Sequence, residues 1–393
     1  MNNIYFDNSA TTKIDPRVLE KMMPYLTEVF GNPGSIHSAG QAALSAVDEA
    51  RAKVADFFHC APAEVVFTSG ATESNNLAIQ GVVDFFVGQG KKIHIITSAI
   101  EHPSVLEVFK ELQKMKKAEV DFIEVDQFGV LKLDQLKKKI KANTVLISLM
   151  YANNEVGSIQ PISAVRDVIL AERTKREAKA LPLYFHIDAV QAANYLPCDV
   201  NGLGVDLMTI SGHKIYAPKG VGALYLRKGV KVKPQGFGGH YEYGLRPGTL
   251  NVAGIVALGA AVDLIMQHGK TDIQKLKTIK EKLINEIDKV EDARFNGQIE
   301  TQLPNIINVS FLNAEGESLL MMLDLEGIAI STGSACSSGS LEPSHVLTAM
   351  GIKPEWSHGS VRISLGRFNT SHEVAPFVGA LRAAVDKLRK MAP

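Results

Sequence analysis

Ser211-Gly212-His213-Lys214-Ile215-Tyr216-Ala217-Pro218-Lys219-Gly220-Val221 runs straight into the apolar stretch Gly222-Ala223-Leu224-Tyr225-Leu226. Just upstream, residues 206–211 read as a strand that ends on a hydroxyl. Lys214 is therefore placed just past the carboxyl end of a strand, behind a hydroxyl, a glycine and an imidazole. A lysine in a partly desolvated niche can lose its proton near neutral pH and form a Schiff base with an aldehyde. Taken alone, the same stretch also suits an exposed lysine ahead of a turn. What the other strand ends carry decides between the two.

From about residue 15 to 260, helical and strand patterns alternate. Residues 16–29, 40–58 and 103–117 show helical spacing of apolar positions. Residues 65–68, 93–97, 120–125, 144–151 and 183–188 read as strands. This alternation predicts an α/β fold with a mostly parallel sheet. Ligands of such sheets sit beyond the carboxyl ends of the strands. Further on the pattern changes. Helices over 252–266 and 272–290, strands over 305–311, 328–331 and 361–364, and a closing helix over 371–391 predict a smaller α+β domain. The expected division is a large domain over 15–260 and a small one built from 1–14 and 261–393.

The 393 residues carry 42 basic and 42 acidic side chains, so there is no electrostatic footprint for nucleic acid or an anionic membrane. Lysine-rich stretches at 110–117 and 132–141 are interleaved with Leu, Ile and acidic residues and read as solvated helix faces. Cys60, Cys198 and Cys336 are far apart, with no C-x-x-C, which argues against a disulfide framework or a zinc site. The first residues lack the basic start and apolar core of a signal peptide. No apolar run approaches a membrane span in this reading. The expectation is a cytoplasmic protein with reduced thiols.

The strand ends supply candidate partners for Lys214. The stretch Thr68-Ser69-Gly70-Ala71-Thr72-Glu73-Ser74-Asn75 follows a strand and opens a helix, as an anion-binding turn does. Ordinary capping by Thr72 or Ser74 reads the same way. Asp188 ends an apolar strand, and a buried carboxylate there needs a cationic or donor partner. A protonated pyridine nitrogen is one such partner, and a structural ion pair is another. Gln191 lies three residues on and can reach the same ligand. His102 follows the strand at 93–97 and can stack on a flat ring or move protons. Asn153-Asn154-Glu155 places polar groups at another strand end. Arg362 lies within an apolar strand and needs an anion, which a substrate carboxylate or a structural salt bridge would provide. Cys336 sits within Ser331-Thr332-Gly333-Ser334-Ala335-Cys336-Ser337-Ser338-Gly339-Ser340, small residues that leave its thiol accessible and mobile.

Together these pieces resemble the pyridoxal phosphate-dependent cysteine desulfurases of the class V aminotransferase group. Six motifs match in order: Gly31–His37, Ser69–Ser74, Asn153–Gly157, Asp188–Gln191, Ser211–Lys214 and Arg246–Thr249. The Cys336 loop is similar to the long-loop branch that serves iron–sulfur cluster assembly and nitrogenase maturation. The resemblance implies the fold type I architecture of pyridoxal phosphate enzymes. It implies that Lys214 carries the cofactor as a Schiff base. Ala71, Thr72, Ser211 and His213 would hold the phosphate, and Thr249 would reach that of a neighbouring subunit in a homodimer. Asp188 would pair with the pyridine nitrogen, Gln191 with the ring oxygen, and His102 would stack on the ring. Asn154 would lie at ring and substrate, and Arg362 would grip the carboxylate of L-cysteine. Lys214 would remove the α-proton, and Cys336 would take the sulfur as a persulfide for an acceptor such as an iron–sulfur scaffold protein. No stable metal site is implied, only a transient cluster shared with the scaffold through Cys336. The chain lacks the longer C-terminal tail by which housekeeping members dock that scaffold. Selenocysteine lyase and a class V aminotransferase are the alternatives; the latter has no use for Cys336.

Overall fold

The computed structural model describes residues 3–177, 180–332 and 343–391. A short strand, β1 (Ile4–Tyr5), is followed by α1 (Pro16–Met22) and α2 (Pro24–Thr27). The sequence predicts a single helix over 16–29. The structure has two, because Pro24 has no N–H to extend the ladder and instead opens the second helix at its first position. The long helix α3 (Ser38–Phe58) buries Ala43, Val47, Ala50, Val54 and Phe58, the spacing of one helix face.

Strands and helices then alternate: β2 (Val65–Thr68), α4 (Ala71–Val87), β3 (His94–Ser98), α5 (Pro103–Lys114), β4 (Glu119–Ile123), α6 (Leu133–Lys139) and β5 (Thr144–Met150). They continue as α7 (Ile162–Lys175), β6 (Tyr184–Asp188), α8 (Val200–Leu203), β7 (Leu207–Ser211) and β8 (Gly222–Leu226). The seven strands form one sheet in the order β2-β8-β7-β6-β5-β3-β4. The β4, β3, β5, β6 and β7 neighbours are parallel, and β8 is antiparallel to both β7 and β2. Six of the seven strands therefore end at the same edge. The sheet is apolar on both faces because both are covered. Leu77, Val82, Val105 and Phe109 of α4 and α5 build one core, and Val54, Ile169 and Leu258 belong to the other.

Past the sheet, α9 (Val252–Ile287) is one helix of 36 residues. The sequence predicts two helices, separated near Gly269. A glycine in a helix costs only about 1 kcal/mol relative to alanine, and packing outweighs it here. Ala257, Leu258 and Val262 enter the first core, and Leu276, Ile279 and Leu283 enter a second. One 18-residue window of α9 reaches a mean hydropathy of 1.5 and is long enough to cross a membrane, contrary to the sequence expectation. Half of that window is buried inside the fold, where α9 packs on α3 and α1.

The remaining elements are β9 (Ala293–Phe295), β10 (Ile306–Phe311), α10 (Gly316–Leu325), β11 (Ile328–Ala329), α11 (His345–Ala349), α12 (Pro354–Ser357), β12 (Ser360–Ser364) and α13 (Val374–Met391). An antiparallel sheet β12-β10-β9 forms, and β1 pairs in parallel with β11. From β1 the chain passes Ser364, whose carbonyl accepts the Asn8 N–H at 3.1 Å. It reaches the Lys214 turn where the Thr12 N–H donates to the His213 carbonyl at 2.9 Å.

A buried ion pair pins the segment after β8 to the sheet. Arg51 of α3 donates two bonds to Glu242, at 3.0 and 2.5 Å, and the Phe67 N–H donates to the same carboxylate at 2.7 Å. Glu242 takes φ 45°, a left-handed conformation that its partners hold in place. Glu242→Gln leaves the Arg51 guanidinium as an uncompensated buried charge. The expected loss is roughly 3–5 kcal/mol of unfolding free energy, read from urea melts; an unchanged midpoint contradicts it.

Candidate active site

The common edge of the sheet gathers Thr68, Ser98, Met150, Asp188 and Ser211, the last residues of β2, β3, β5, β6 and β7. Over it opens a cavity of about 560 Å³. Ala71, Thr72, His102, Asn154, Asp188, Gln191, Ser211, His213, Lys214 and Arg362 all line it. Ten residues chosen from sequence thus meet in one place. Thr249 is exposed and is not among the lining residues. Cys336 lies outside the described residues.

The anion turn is built by backbone. Gly70 caps α4 with no side-chain hydrogen bond, and the first helical bond runs from the Ser74 N–H to the Gly70 carbonyl. Thr72 and Ser74 lie inside the helix, so neither is its N-cap. The Ala71, Thr72 and Glu73 amides precede that first bond and point their partial positive charge at the cavity end. Gly70 has φ 151°, a region reserved for glycine. A Cβ on Gly222 of β8 would come within 2.7 Å of the Gly70 Cα, so both glycines are needed for the turn to lie against the sheet.

Asp188 is buried at the floor of the cavity. Its Oδ1 accepts the Val190 N–H at 3.0 Å, and its Oδ2 accepts Asn75 Nδ2 at 2.8 Å. Among the described residues no lysine or arginine forms an ion pair with it, so the structural ion pair considered from the sequence is not what holds it. Both donors are neutral, so the negative charge is kept for a ligand. His102 opens α5. Burial lowers its pKa, with Lys214 and His345 adding to that shift and Asp188 opposing it.

The Lys214 ammonium donates to the carbonyls of Ser9 and Ala10, the latter at 2.8 Å. Gln191 Nε2 donates to the same Ser9 carbonyl at 3.0 Å. His213 Nδ1 lies 3.2 Å from Thr11 Oγ1, and burial, then Lys214 and Lys219, push its pKa down to about 4. Arg362 of β12 is almost fully buried. It donates from Nη1 to the Asn154 carbonyl at 3.0 Å and from Nη2 to Asp7 at 2.8 Å. The salt bridge anticipated as an alternative therefore exists. Among the described residues, however, Nε has no partner, and the guanidinium still lines the cavity.

Two of the three thiols are unsuited to nucleophilic work. Burial pushes Cys60 and Cys198 up to about 12, so neither is a thiolate at neutral pH. Sequence reasoning passed over Asn75, Ser104, Lys219 and the Ser9 and Ala10 carbonyls, all at the site. Asn75 falls within the turn that the sequence flags, but its contact with Asp188, like those of Ser9 and Ala10 with Lys214, spans more than 100 residues.

A lysine, a carboxylate, an anion turn and an arginine thus share one cavity. The aminotransferase class-V family model matches residues 4–377. The chain belongs to the class V aminotransferases and, within them, to the cysteine desulfurases. It is 45% identical over 391 residues to cysteine desulfurase IscS of Dictyoglomus turgidum, covering 99% of this chain and 96% of that one. It is 46% identical over 390 residues to cysteine desulfurase IscS of Methanosarcina thermophila, covering 99% and 94%. A solved NifS-like protein superposes with a TM-score of 0.91 at 38% identity, covering 98% of this chain and all of that one. The α/β architecture with its mostly parallel sheet is that of the pyridoxal phosphate fold type I enzymes.

Proposed function

We propose that this cysteine desulfurase holds pyridoxal phosphate in the cavity at the sheet edge and passes the sulfur of L-cysteine to Cys336. The observation that carries the proposal is the convergence of Lys214, Asp188, His102, Arg362 and the α4 turn on that one cavity. The residues fit the cofactor. Three uncapped amides suit a phosphate, a buried carboxylate with neutral donors suits a ring N–H, and Lys214 lines the same cavity. Pyridoxal phosphate, when bound, supplies the electron sink that loosens bonds at the substrate's α-carbon.

The side chains do the rest. Ala71, Thr72, Ser211 and His213 orient the phosphate, and Gln191 and His102 fix the ring. Arg362, whose guanidinium lines the cavity, binds the substrate carboxylate, with Asn154 beside it. Lys214 is the residue that would hold the cofactor between turnovers, and its amine would take the substrate's α-proton. Cys336, as a thiolate, receives the sulfur: the substrate carbon–sulfur bond breaks, a sulfur–sulfur bond forms, and the products are alanine and a persulfide. An acceptor protein, such as an iron–sulfur scaffold, then takes the terminal sulfur.

A second copy of the chain completes this picture. Phe30, Ile36 and Phe237 are 79%, 95% and 93% exposed, too apolar for a solvated surface. Tyr241 donates to Asn32 at 3.0 Å and joins the two segments that carry them. Exposed Thr249 belongs to the same region and would serve the partner's phosphate. The proposal keeps the two-domain organisation and a cytoplasmic location, where thiols stay reduced.

Incubating the purified holoenzyme with L-cysteine should yield alanine, and adding a thiol reductant such as dithiothreitol should then release sulfide. Before the reductant is added, mass spectrometry should find one additional sulfur on Cys336, and Cys336→Ser should retain the cofactor but transfer no sulfur. Keto-acid-dependent amino transfer without sulfide defeats the reading, as does a persulfide located only on Cys60 or Cys198. Strong preference for selenocysteine in the same assay favours the lyase.

A further inference from the structure

His102 is the N-cap of the 12-residue helix α5, and Pro103 occupies the first helical position. Proline has no N–H, so the first amide available for capping is that of Ser104. It donates to His102 Nδ1 at 3.1 Å. A backbone amide only donates, so Nδ1 carries a lone pair, and a neutral ring must keep its proton on Nε2. The Ser104 hydroxyl lies 2.9 Å from the same Nδ1. That hydroxyl accepts a bond from Asn75 Nδ2 at 2.9 Å, which turns its own proton toward the imidazole. The same Asn75 nitrogen donates to Asp188 Oδ2 at 2.8 Å. Asn75 is wholly buried and Ser104 nearly so, so water does not compete for these bonds.

We propose that Asn75 and Ser104 are positioning residues that hold His102 as its Nε2–H tautomer and tie the orientation of its ring to the Asp188 carboxylate. His102 then meets the cavity with one ring donor and no free ring base. The groups facing it act in both directions: Lys214 and His345 disfavour an imidazolium, and Asp188 favours one. Burial and the positive end of α5 tip the balance toward the neutral ring. The proposal rests on the desulfurase reading only for its effect on turnover; the tautomer belongs to the fold.

The test is nitrogen NMR of the holoenzyme labelled with ¹⁵N-histidine, with the His102 signals assigned by their loss in His102→Gln. The expected spectrum has one protonated nitrogen, Nε2, and one bare nitrogen, Nδ1, unchanged from about pH 6 to about pH 9. In Ser104→Ala, Nδ1 loses the hydroxyl bond that favours the neutral ring, and in Asn75→Ala that hydroxyl loses the donor that turns its proton toward Nδ1. Its signal should shift, and the ring should titrate closer to the ordinary histidine range. Turnover should fall about tenfold with KM changed less than about twofold, and Ser104→Thr should restore both readouts. A proton on Nδ1 in the wild type overturns the proposal. So does an unchanged spectrum and kcat in both alanine variants. If the tautomer stands but L-cysteine gives no alanine, the desulfurase reading fails and the positioning claim does not.

Discussion

Lys214→Ala should lower turnover of L-cysteine by at least about 10³-fold. The estimate combines the loss of a general base, which alone contributes about 10²–10⁴-fold, with the loss of the covalent tether. The expectation follows from the surroundings of the side chain. Its ammonium is held by the Ser9 and Ala10 carbonyls, two dipoles aimed at one point. These carbonyl dipoles orient the amine toward the cavity that it lines. One other lysine, Lys219, lines the cavity, but it is exposed. The visible absorption of a covalently held cofactor should therefore vanish in Lys214→Ala and persist in Lys219→Ala. The opposite pattern transfers the role to Lys219.

Asp188→Asn should reduce kcat by about 10²–10³-fold, the usual cost of losing one preorganised electrostatic partner. The carboxylate uses both oxygens as acceptors, one for Val190 N–H and one for Asn75 Nδ2. An amide matches only one of these. Its NH₂ group faces a donor on the other side, so a buried polar clash replaces a hydrogen bond. The negative charge that would keep a ring nitrogen protonated is also gone. The cofactor should dialyse away faster from the variant, while KM for L-cysteine changes little because Arg362 is untouched. Wild-type kcat in Asp188→Asn would rule out the pairing with the ring.

The strands were legible because each is short, apolar and closed by a turn. Residues 65–68 and 222–226 match β2 and β8 residue for residue. Neither the reversed direction of β8 nor its place between β2 and β7 has any local signature. Helix limits were read less well where a breaker was weighed by itself. Pro24 broke a helix that periodicity carried through, and Gly269 failed to break one, since α9 is anchored in a core on each side of it. The chemical side chains could be found from residue type and strand ends. Their supports could not, because a carbonyl at Ser9 or an amide at Asn75 has no chemistry until the fold brings it to Lys214 or Asp188.

The stretch from β1 to Thr12 also sets an order of events. Its contacts are with the Lys214 turn, with β11 and with Ser364, residues made some 200 to 350 positions later. During synthesis at about 5–20 residues per second, these first residues wait tens of seconds for partners. The lysine pocket closes only when nearly the whole chain has emerged. Capture of the cofactor is then a late step of biogenesis, and a nascent chain arrested before Ser364 should bind it poorly.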